Sequence, residues 1–321
     1  MAYKSFGVLI EPKSSFITPL QADTIFGSLM WAFRYAYGES ELVDLLKSFF
    51  DKPPFLISNA IPYGFFPRPL IPLEKPKEAS DKDLFAELKK TRKIKYIPQD
   101  KFEVLINSLS SSMLIEILLE LASLDLEDKL MPKTDVVQKN VINRLNFTTV
   151  KGGLFEQEEV YFGNMKQIIY VKFNKDQKNI SEDSLKDLFN KVSLFGYGKK
   201  KSTGKGAFEI SFIDDVVLPE ASNSNGFISL SNFVPAKDDP INGYYDTLVK
   251  FGKLGGDFAS SQGGPWKKPL LMLKEGSVFG CDAKPLKDFY GRMISDIYPH
   301  SPLKEKVKHY AYAFPLGVNI R

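Results

Sequence analysis

The spacing of apolar residues changes period several times along this chain, and each change predicts an element. Residues 3–10, YKSFGVLI, are rich in β-branched and aromatic side chains and run into Pro12, the pattern of a strand. Thr18-Pro19-Leu20-Gln21 offers a capping hydroxyl, a proline at the first helical position and a Gln three residues after the cap, which predicts a helix capped by Thr18. Ala22, Phe26, Leu29, Phe33 and Ala36 follow at intervals of three and four, so this helix lays an apolar stripe on a sheet and ends near Gly38. Seven prolines between 51 and 76 leave one strand, 55–61, with loop around it. Residues 77–135 read as a mostly helical insertion, with 84–90 and the strongly apolar 113–124 as its clearest helices.

Alternation returns in QIIYVKF at 167–173, a strand. Ser181 then caps a helix whose buried face is Leu185, Leu188, Phe189 and Val192, and Gly196 is placed to end it. The next strand, 207–213, carries Phe208, Ile210 and Phe212 on one face. Strand, helix, insertion, strand, helix, strand is the βαββαβ order of a ferredoxin-like domain. PEASNSNG at 219–226 is a turn-rich break, leaving a C-terminal stretch of a normal size for a small domain. In it, 226–234, 269–273 and 307–314 predict strands, and 244–251 and 286–297 predict helical turns. The expected fold class is α+β: two tandem ferredoxin-like domains, 1–216 with an insertion at about 74–135, and 217–321.

Composition narrows the chemistry. The 321 residues are 43% hydrophobic, enough for a sizeable core, and the net charge of +4 is too mild to identify a nucleic-acid binder until its distribution is known. One Cys and two His supply neither a disulfide framework nor a Cys/His zinc site from this chain alone, so no metal and no cofactor are expected. No apolar run approaches 18 residues and the first residues lack the layout of a signal peptide, which predicts a soluble cytoplasmic protein with no membrane partner.

Distribution singles out one segment. Gly196-Tyr197-Gly198-Lys199-Lys200-Lys201-Ser202-Thr203-Gly204-Lys205-Gly206 holds four lysines and no acid, equal to the whole net charge. Its glycines let backbone amides approach an anion, and its Lys, Ser and Thr side chains add charge and hydroxyl donors. It is not a Walker A loop: Gly204-Lys205 is followed by Gly206 instead of Ser or Thr, and a strand follows in place of a helix. A helix precedes it, so it is not a dinucleotide fingerprint either. The bare pattern suits a polyanion site or a flexible solvated turn. KKTRKIKY, 89–96, with five cations, suits phosphates or a solvated basic helix end.

A second loop, 260–268, mixes Ser260, Gln262 and Gly263 with Trp266, Lys267 and Lys268, the combination that stacks unpaired bases and neutralises their backbone. Trp266 equally suits a core plug. Lys267, with no burial role to fill, is the better phosphate candidate. Gly255-Gly256-Asp257-Phe258 has one carboxylate where two-metal chemistry needs more, and reads as a turn. His300 and His309 show no partner for general-base work, and Asp23 reads as support for a neighbouring loop.

GYGKKKSTGKG resembles the glycine-rich loop of the RAMP proteins, the repeat-associated RNA-binding family of CRISPR systems. Further segments agree in order: Pro19-Leu-Gln-Ala-Asp-Thr24, then Lys268-Pro-Leu-Leu-Met-Leu273 with Glu275-Gly-Ser277, and His309-Tyr-Ala-Tyr-Ala-Phe-Pro-Leu-Gly317. Together they resemble the type III-A Csm subunit that holds the 5′ tag of CRISPR RNA. The resemblance implies a non-catalytic RNA-binding role in defence against foreign nucleic acid. It also implies CRISPR RNA, a large palm-domain subunit and a backbone RAMP subunit as partners. It further implies a thumb hairpin at 140–162, where Arg144 and Lys151 would meet phosphates and Phe147 or Leu154 would wedge against bases. The rivals are a metal-independent CRISPR RNA endoribonuclease of the same superfamily and a pure protein scaffold.

Overall fold

The computed structural model describes residues 3–74, 89–124, 132–260, 263–281, 286–300, 303 and 305–321. The chain opens with β1 (Tyr3–Pro12), α1 (Ala22–Tyr37) and α2 (Glu39–Ser48). The proline-rich stretch that the sequence leaves mostly as loop holds three short strands, β2 (Phe55–Ile57), β3 (Ile61–Pro62) and β4 (Phe65–Pro67). The single strand expected over 55–61 is broken because Ser58, Asn59 and Ala60 turn away to bond Tyr170, Leu230 and Leu20. That turn also corrects the helix cap. The Oδ1 of Asn59 accepts the amide of Ala22 at 2.9 Å, and Gln21, not Thr18, is the residue before the first helical turn.

The insertion carries β5 (Tyr96–Pro98), α3 (Gln99–Ile106) and α4 (Ser111–Ser123), the last capped by Ser110. Residues 84–88 of the helix expected at 84–90 lie outside the described residues. The basic run at 89–96 begins as a helix end at Lys89 and Lys90 and continues into a 3-10 turn, Thr91–Lys93, whose Thr91 is buried and whose carbonyl accepts from Arg68. The insertion ends earlier than expected, because β6 (Lys133–Ile142) pairs with β7 (Thr149–Tyr161) in one long antiparallel hairpin. Both faces of β6 are largely exposed, so no buried stripe marks it as a strand in the sequence.

The order then follows the sequence reading closely, with β8 (Gln167–Asn174), α5 (Glu182–Phe195) and β9 (Phe208–Ile213). Ser181 caps α5 by accepting the amide of Ser184, and Gly196 ends it. The main sheet runs β2-β8-β1-β9, every neighbouring pair antiparallel, with β3 also on β8. In chain order that is second, third, first, fourth, the split βαβ arrangement. Phe6, Val8 and Ile10 point from β1 into the core, where Ile25, Leu29 and Phe33 of α1 and Leu185 and Leu188 of α5 cover them.

Beyond residue 217 the elements are β10 (Gly226–Ser229), β11 (Gly243–Tyr244), β12 (Thr247–Lys250), β13 (Leu270–Leu273), β14 (Val278–Gly280), β15 (Tyr290–Ile294), β16 (His309–Ala313) and β17 (Pro315–Val318). Both helical turns expected there are strands: β12 pairs with β13 and β15 with β16. Among the described residues of this part the only helical stretch is a 3-10 turn, Gly256–Ser260. The four-stranded sheet has the order β11-β14-β10-β17. Tyr310 of β16 stacks on Phe26 of α1 at 4.8 Å and its hydroxyl accepts the amide of Ile57 at 3.1 Å, so the core is continuous from β1 to the last strands. The mixed α/β architecture is therefore observed.

Candidate nucleic-acid interface

The glycine-rich segment 196–206 joins α5 to β9, and its backbone is set by left-handed residues: Gly196, Gly198, Lys200, Gly204 and Gly206 all have φ between 64° and 81°. Two glycines are required by close approach. A Cβ on Gly198 would lie 2.5 Å from the Cβ of Thr18, and one on Gly206 would lie 2.0 Å from the carbonyl oxygen of Tyr197. The hydroxyl of Thr18, expected to cap α1, instead accepts the amide of Lys199 at 2.9 Å. Tyr197 is buried, and its hydroxyl donates to the Pro19 carbonyl at 2.6 Å.

The amides of Thr203 and Lys205 bond back to Lys200, that of Gly204 to Lys201, and that of Gly206 to Ser15. The glycines therefore shape a tight, internally bonded loop; these amides are not open to an anion. What the loop presents is side-chain charge. Lys199, Lys200 and Lys201 are exposed, and among the described residues none of them has an ion-pair partner. Ser202 and Thr203 are exposed beside them, Thr203 donating to the Lys200 carbonyl. Lys205 differs: its ammonium lies 2.5 Å from the carboxylate of Glu159 in β7.

The hairpin of β6 and β7 rises next to this loop. Its base is fixed where Phe16 and Val160 exchange backbone bonds, and its tip turns over 143–148. Arg144 and Lys151 are exposed there. Phe147 is 84% exposed and Leu154 66%, as wedges would be, and Leu145, which the sequence reading passed over, is 93% exposed. Leu145 and Phe147 lie in the turn and Leu154 on β7 opposite Asn140, all three facing solvent.

A third segment lies along α1. Lys250 of β12 reaches Gln21 at 2.6 Å and Asp23 and Thr24 at 3.0 Å, so Asp23 supports the end of a strand where a loop was expected. Gly255 and Gly256 lie against the Trp31 ring, and Asp257 pairs with Arg34, so the GGDF segment is a packed turn. Trp266 is 54% exposed with the ammonium of Lys253 4.0 Å from its ring, and so is a surface aromatic and not a core plug. Lys267 does have a burial role, contrary to expectation: it is packed inward, donates to the Lys308 carbonyl at 3.3 Å, and burial lowers its pKa to about 8. Lys268 pairs with Asp296 at 2.9 Å, Ser260 is exposed, and Gly263 lies under the ring of His300; Gln262 is outside the described residues.

Comparison with known proteins bears on this arrangement directly. The family model of the RAMP superfamily matches residues 12–209, more than half of the chain and all of the loop and hairpin. The chain belongs to the RAMP superfamily. Among solved structures, a chain of a Csm1–Csm4 cassette in complex with pppApA is similar over 99% of both chains, at 20% identity and a TM-score of 0.63. A chain of a Csm3–Csm4 subcomplex in the type III-A CRISPR-Cas interference complex is similar over 98% of this chain and 99% of that one, at 17% identity and 0.61. At such identities the likeness is one of fold. No curated protein matches the sequence.

In this RAMP chain the segments that carried the resemblance divide by role. Only the glycine-rich loop presents free charge. Gly276 of the EGS segment sits at φ 83°, where a Cβ would lie 2.5 Å from the Arg68 carbonyl oxygen, and 309–317 is buried in β16 and β17. His309 is 6% exposed; its Nε2 has no hydrogen-bond partner among the described residues and lies 3.7 Å from Asp23. Burial, then the charge of Lys267, lower its pKa to about 4, against the opposing pull of Asp23. Between about pH 6.5 and 4 the unfolded chain binds a proton here that the folded chain refuses, so folding stability falls as pH drops through that window. The loss is at most about 3 kcal/mol. Denaturant titrations at pH 7 and 4.5 should show a smaller acid loss for His309→Gln than for the wild type; equal losses would rule His309 out as its source.

Among the described residues no group of three His, Cys, Asp or Glu side chains gathers as a metal site would require, and no helix is long and apolar enough to cross a membrane.

Proposed function

We propose that this chain is a non-catalytic RNA-binding subunit of a type III-A CRISPR effector complex that holds the 5′ tag of CRISPR RNA. In that complex it bridges the large palm-domain subunit and the backbone RAMP subunit. The observation that carries the reading is the rigid loop offering Lys199, Lys200 and Lys201 beside an exposed hairpin. The partners follow from likeness to structures that pair Csm4 with Csm1 and with Csm3.

The chemistry is electrostatic and steric. The three ammonium groups neutralise successive phosphates and release counterions, a term that is strong and independent of sequence. Ser202 and Thr203 add hydroxyls beside them. Trp266, with Lys253 over its ring, offers a stacking face to an unpaired base. At the hairpin tip Leu145, Phe147 and Leu154 press on bases while Arg144 and Lys151 hold the backbone. The tandem ferredoxin-like reading, 1–216 and 217–321, belongs to the same proposal and is supported in its first half by the order of the main sheet.

Cleavage is left to other subunits. A histidine acting as general base must reach a ribose hydroxyl, and His309 is enclosed between α1 and β16. His300 is exposed and packs edge-on to Tyr298. The test is to purify the chain with its co-expressed partner subunits, sequence the 5′ ends of the bound RNA, and incubate the chain alone with labelled repeat RNA. Uniform repeat-derived 5′ ends and uncut RNA are expected. A complex without RNA, or repeat RNA cut by the chain, would overturn the reading.

A further inference from the structure

Four lysines in the glycine-rich loop look equivalent in sequence, and the structure separates one of them. Glu159 lies on β7 at the base of the hairpin with its side chain wholly enclosed. Its carboxylate accepts from Ser15 at 2.6 Å, Gln157 at 2.8 Å, Tyr161 at 2.9 Å and Lys205 at 2.5 Å, and Lys139 of β6 lies 3.3 Å away. The ion pair with Lys205, then the Ser15 bond, hold that carboxyl far below the usual carboxylate range. The ammonium of Lys205 also donates to the Ser15 hydroxyl at 2.9 Å. Ser15 thus touches the loop through Gly206 and Lys205, and the hairpin through Glu159.

We propose that Glu159 is a positioning residue that withdraws Lys205 from RNA and makes it a tether between the glycine-rich loop and the base of the hairpin. The loop then binds phosphate with three cations, not four. This rests on the RNA-binding reading above. A phosphate that captured Lys205 would take the closest counter-charge from a buried carboxylate, which is the costly way to break such a pair. Among the described residues Lys199, Lys200 and Lys201 have no such tie, so RNA engages them without disturbing the stem. The tether also fixes the direction in which the hairpin leaves the loop. Binding at the lysines and wedging at the tip therefore share one frame.

Two measurements on the full chain test this. In acylation footprinting of the free protein, Lys205 should react several-fold more slowly than Lys199, Lys200 and Lys201, and Glu159→Gln should bring it to their rate. In salt titrations with a single-stranded RNA bearing a repeat-derived 5′ end, Lys199→Gln, Lys200→Gln and Lys201→Gln should each flatten the slope of log affinity against log salt by about 0.7. Lys205→Gln should leave the slope unchanged, and Glu159→Gln, by freeing a cation, should steepen it by about 0.7. Lys205 reacting as fast as its neighbours, or Lys205→Gln flattening the slope as they do, would overturn the proposal. If Lys205 is protected and no lysine variant moves the slope, the tether stands and the RNA reading fails. Should Glu159→Gln not fold, the wild-type footprint and the Lys205→Gln slope decide the matter.

Discussion

Replacing Lys199, Lys200 and Lys201 together by alanine is expected to weaken RNA binding about 50-fold at 0.15 M salt and to flatten the salt dependence by about two units of slope. The size follows from counterion release. Each cation on a single-stranded backbone contributes about 0.7 to the slope, so three contribute about 2 between 1 M and 0.15 M salt, where log affinity changes by about 1.7. Stability should not move, because all three side chains are exposed and unpaired among the described residues. A control of equal charge makes the test specific. Lys89, Lys90 and Arg92 are also exposed, at a helix end of the insertion and the 3-10 turn that follows it, and their triple alanine variant should change affinity less than threefold. Equal losses in the two variants would mean that RNA responds to net charge alone, and would remove the loop from the interface.

That the loop could be found in the sequence at all is a matter of local chemistry. Its charge density, glycine spacing and place between a capped helix and an alternating strand are all written in neighbouring residues. The same holds for β1, β8, β9 and α5, whose apolar spacing matches the face they bury. Glu159 was not legible, because it lies in the acid-rich run Glu156-Gln157-Glu158-Glu159, where composition marks the whole stretch as solvated. The available signal was the period of two: Gln157 and Glu159 share the buried face, whereas Glu156 and Glu158 face water. Thr18 misled for a related reason. Its place before Pro19 fits a cap, yet the partner it takes, Lys199, is distant in sequence.

The two misread helical turns show a different limit. Phe289, Met293 and Ile297 recur every four residues, a helical spacing, but Gly291 sits at φ 83° and Tyr290 stacks on Phe227 at 3.9 Å in a strand paired with β16. Tyr244, Leu248 and Phe251 are similarly spaced, and pairing with β13 overrides them. Strands whose partners are far along the chain declare themselves weakly, because the contact that stabilises them is absent from any short window. Lys267 failed for its own reason: a lysine stem is apolar enough to pack inward, and charge in a sequence says nothing of where the stem lies.

Gly206→Ala is expected to be the most damaging conservative change in the loop. The residue sits at φ +66°, where an L side chain costs about 1–2 kcal/mol. Its Cβ would also lie 2.0 Å from the Tyr197 carbonyl oxygen, so the two backbones must separate. Separation stretches the 2.9 Å bond from the Tyr197 amide to the Gly206 carbonyl and shifts Tyr197, which is buried beneath the loop. A total of about 3 kcal/mol follows, or a fall in melting temperature of roughly 6 °C at the 2 °C per kcal/mol typical of larger domains. Gly204→Ala is the matched comparison. Gly204 sits at φ +81° with nothing within 4 Å of an added Cβ, so only the backbone term applies, about 1 kcal/mol. Neither variant alters a charge. If lysine placement is what binds RNA, Gly206→Ala should lose affinity and flatten the salt slope while Gly204→Ala keeps most of both. Equal melting temperatures for the two would show that the stem is not closed as the structure has it, and equal RNA binding would show that the three lysines act from a flexible chain and owe nothing to the frame that holds them.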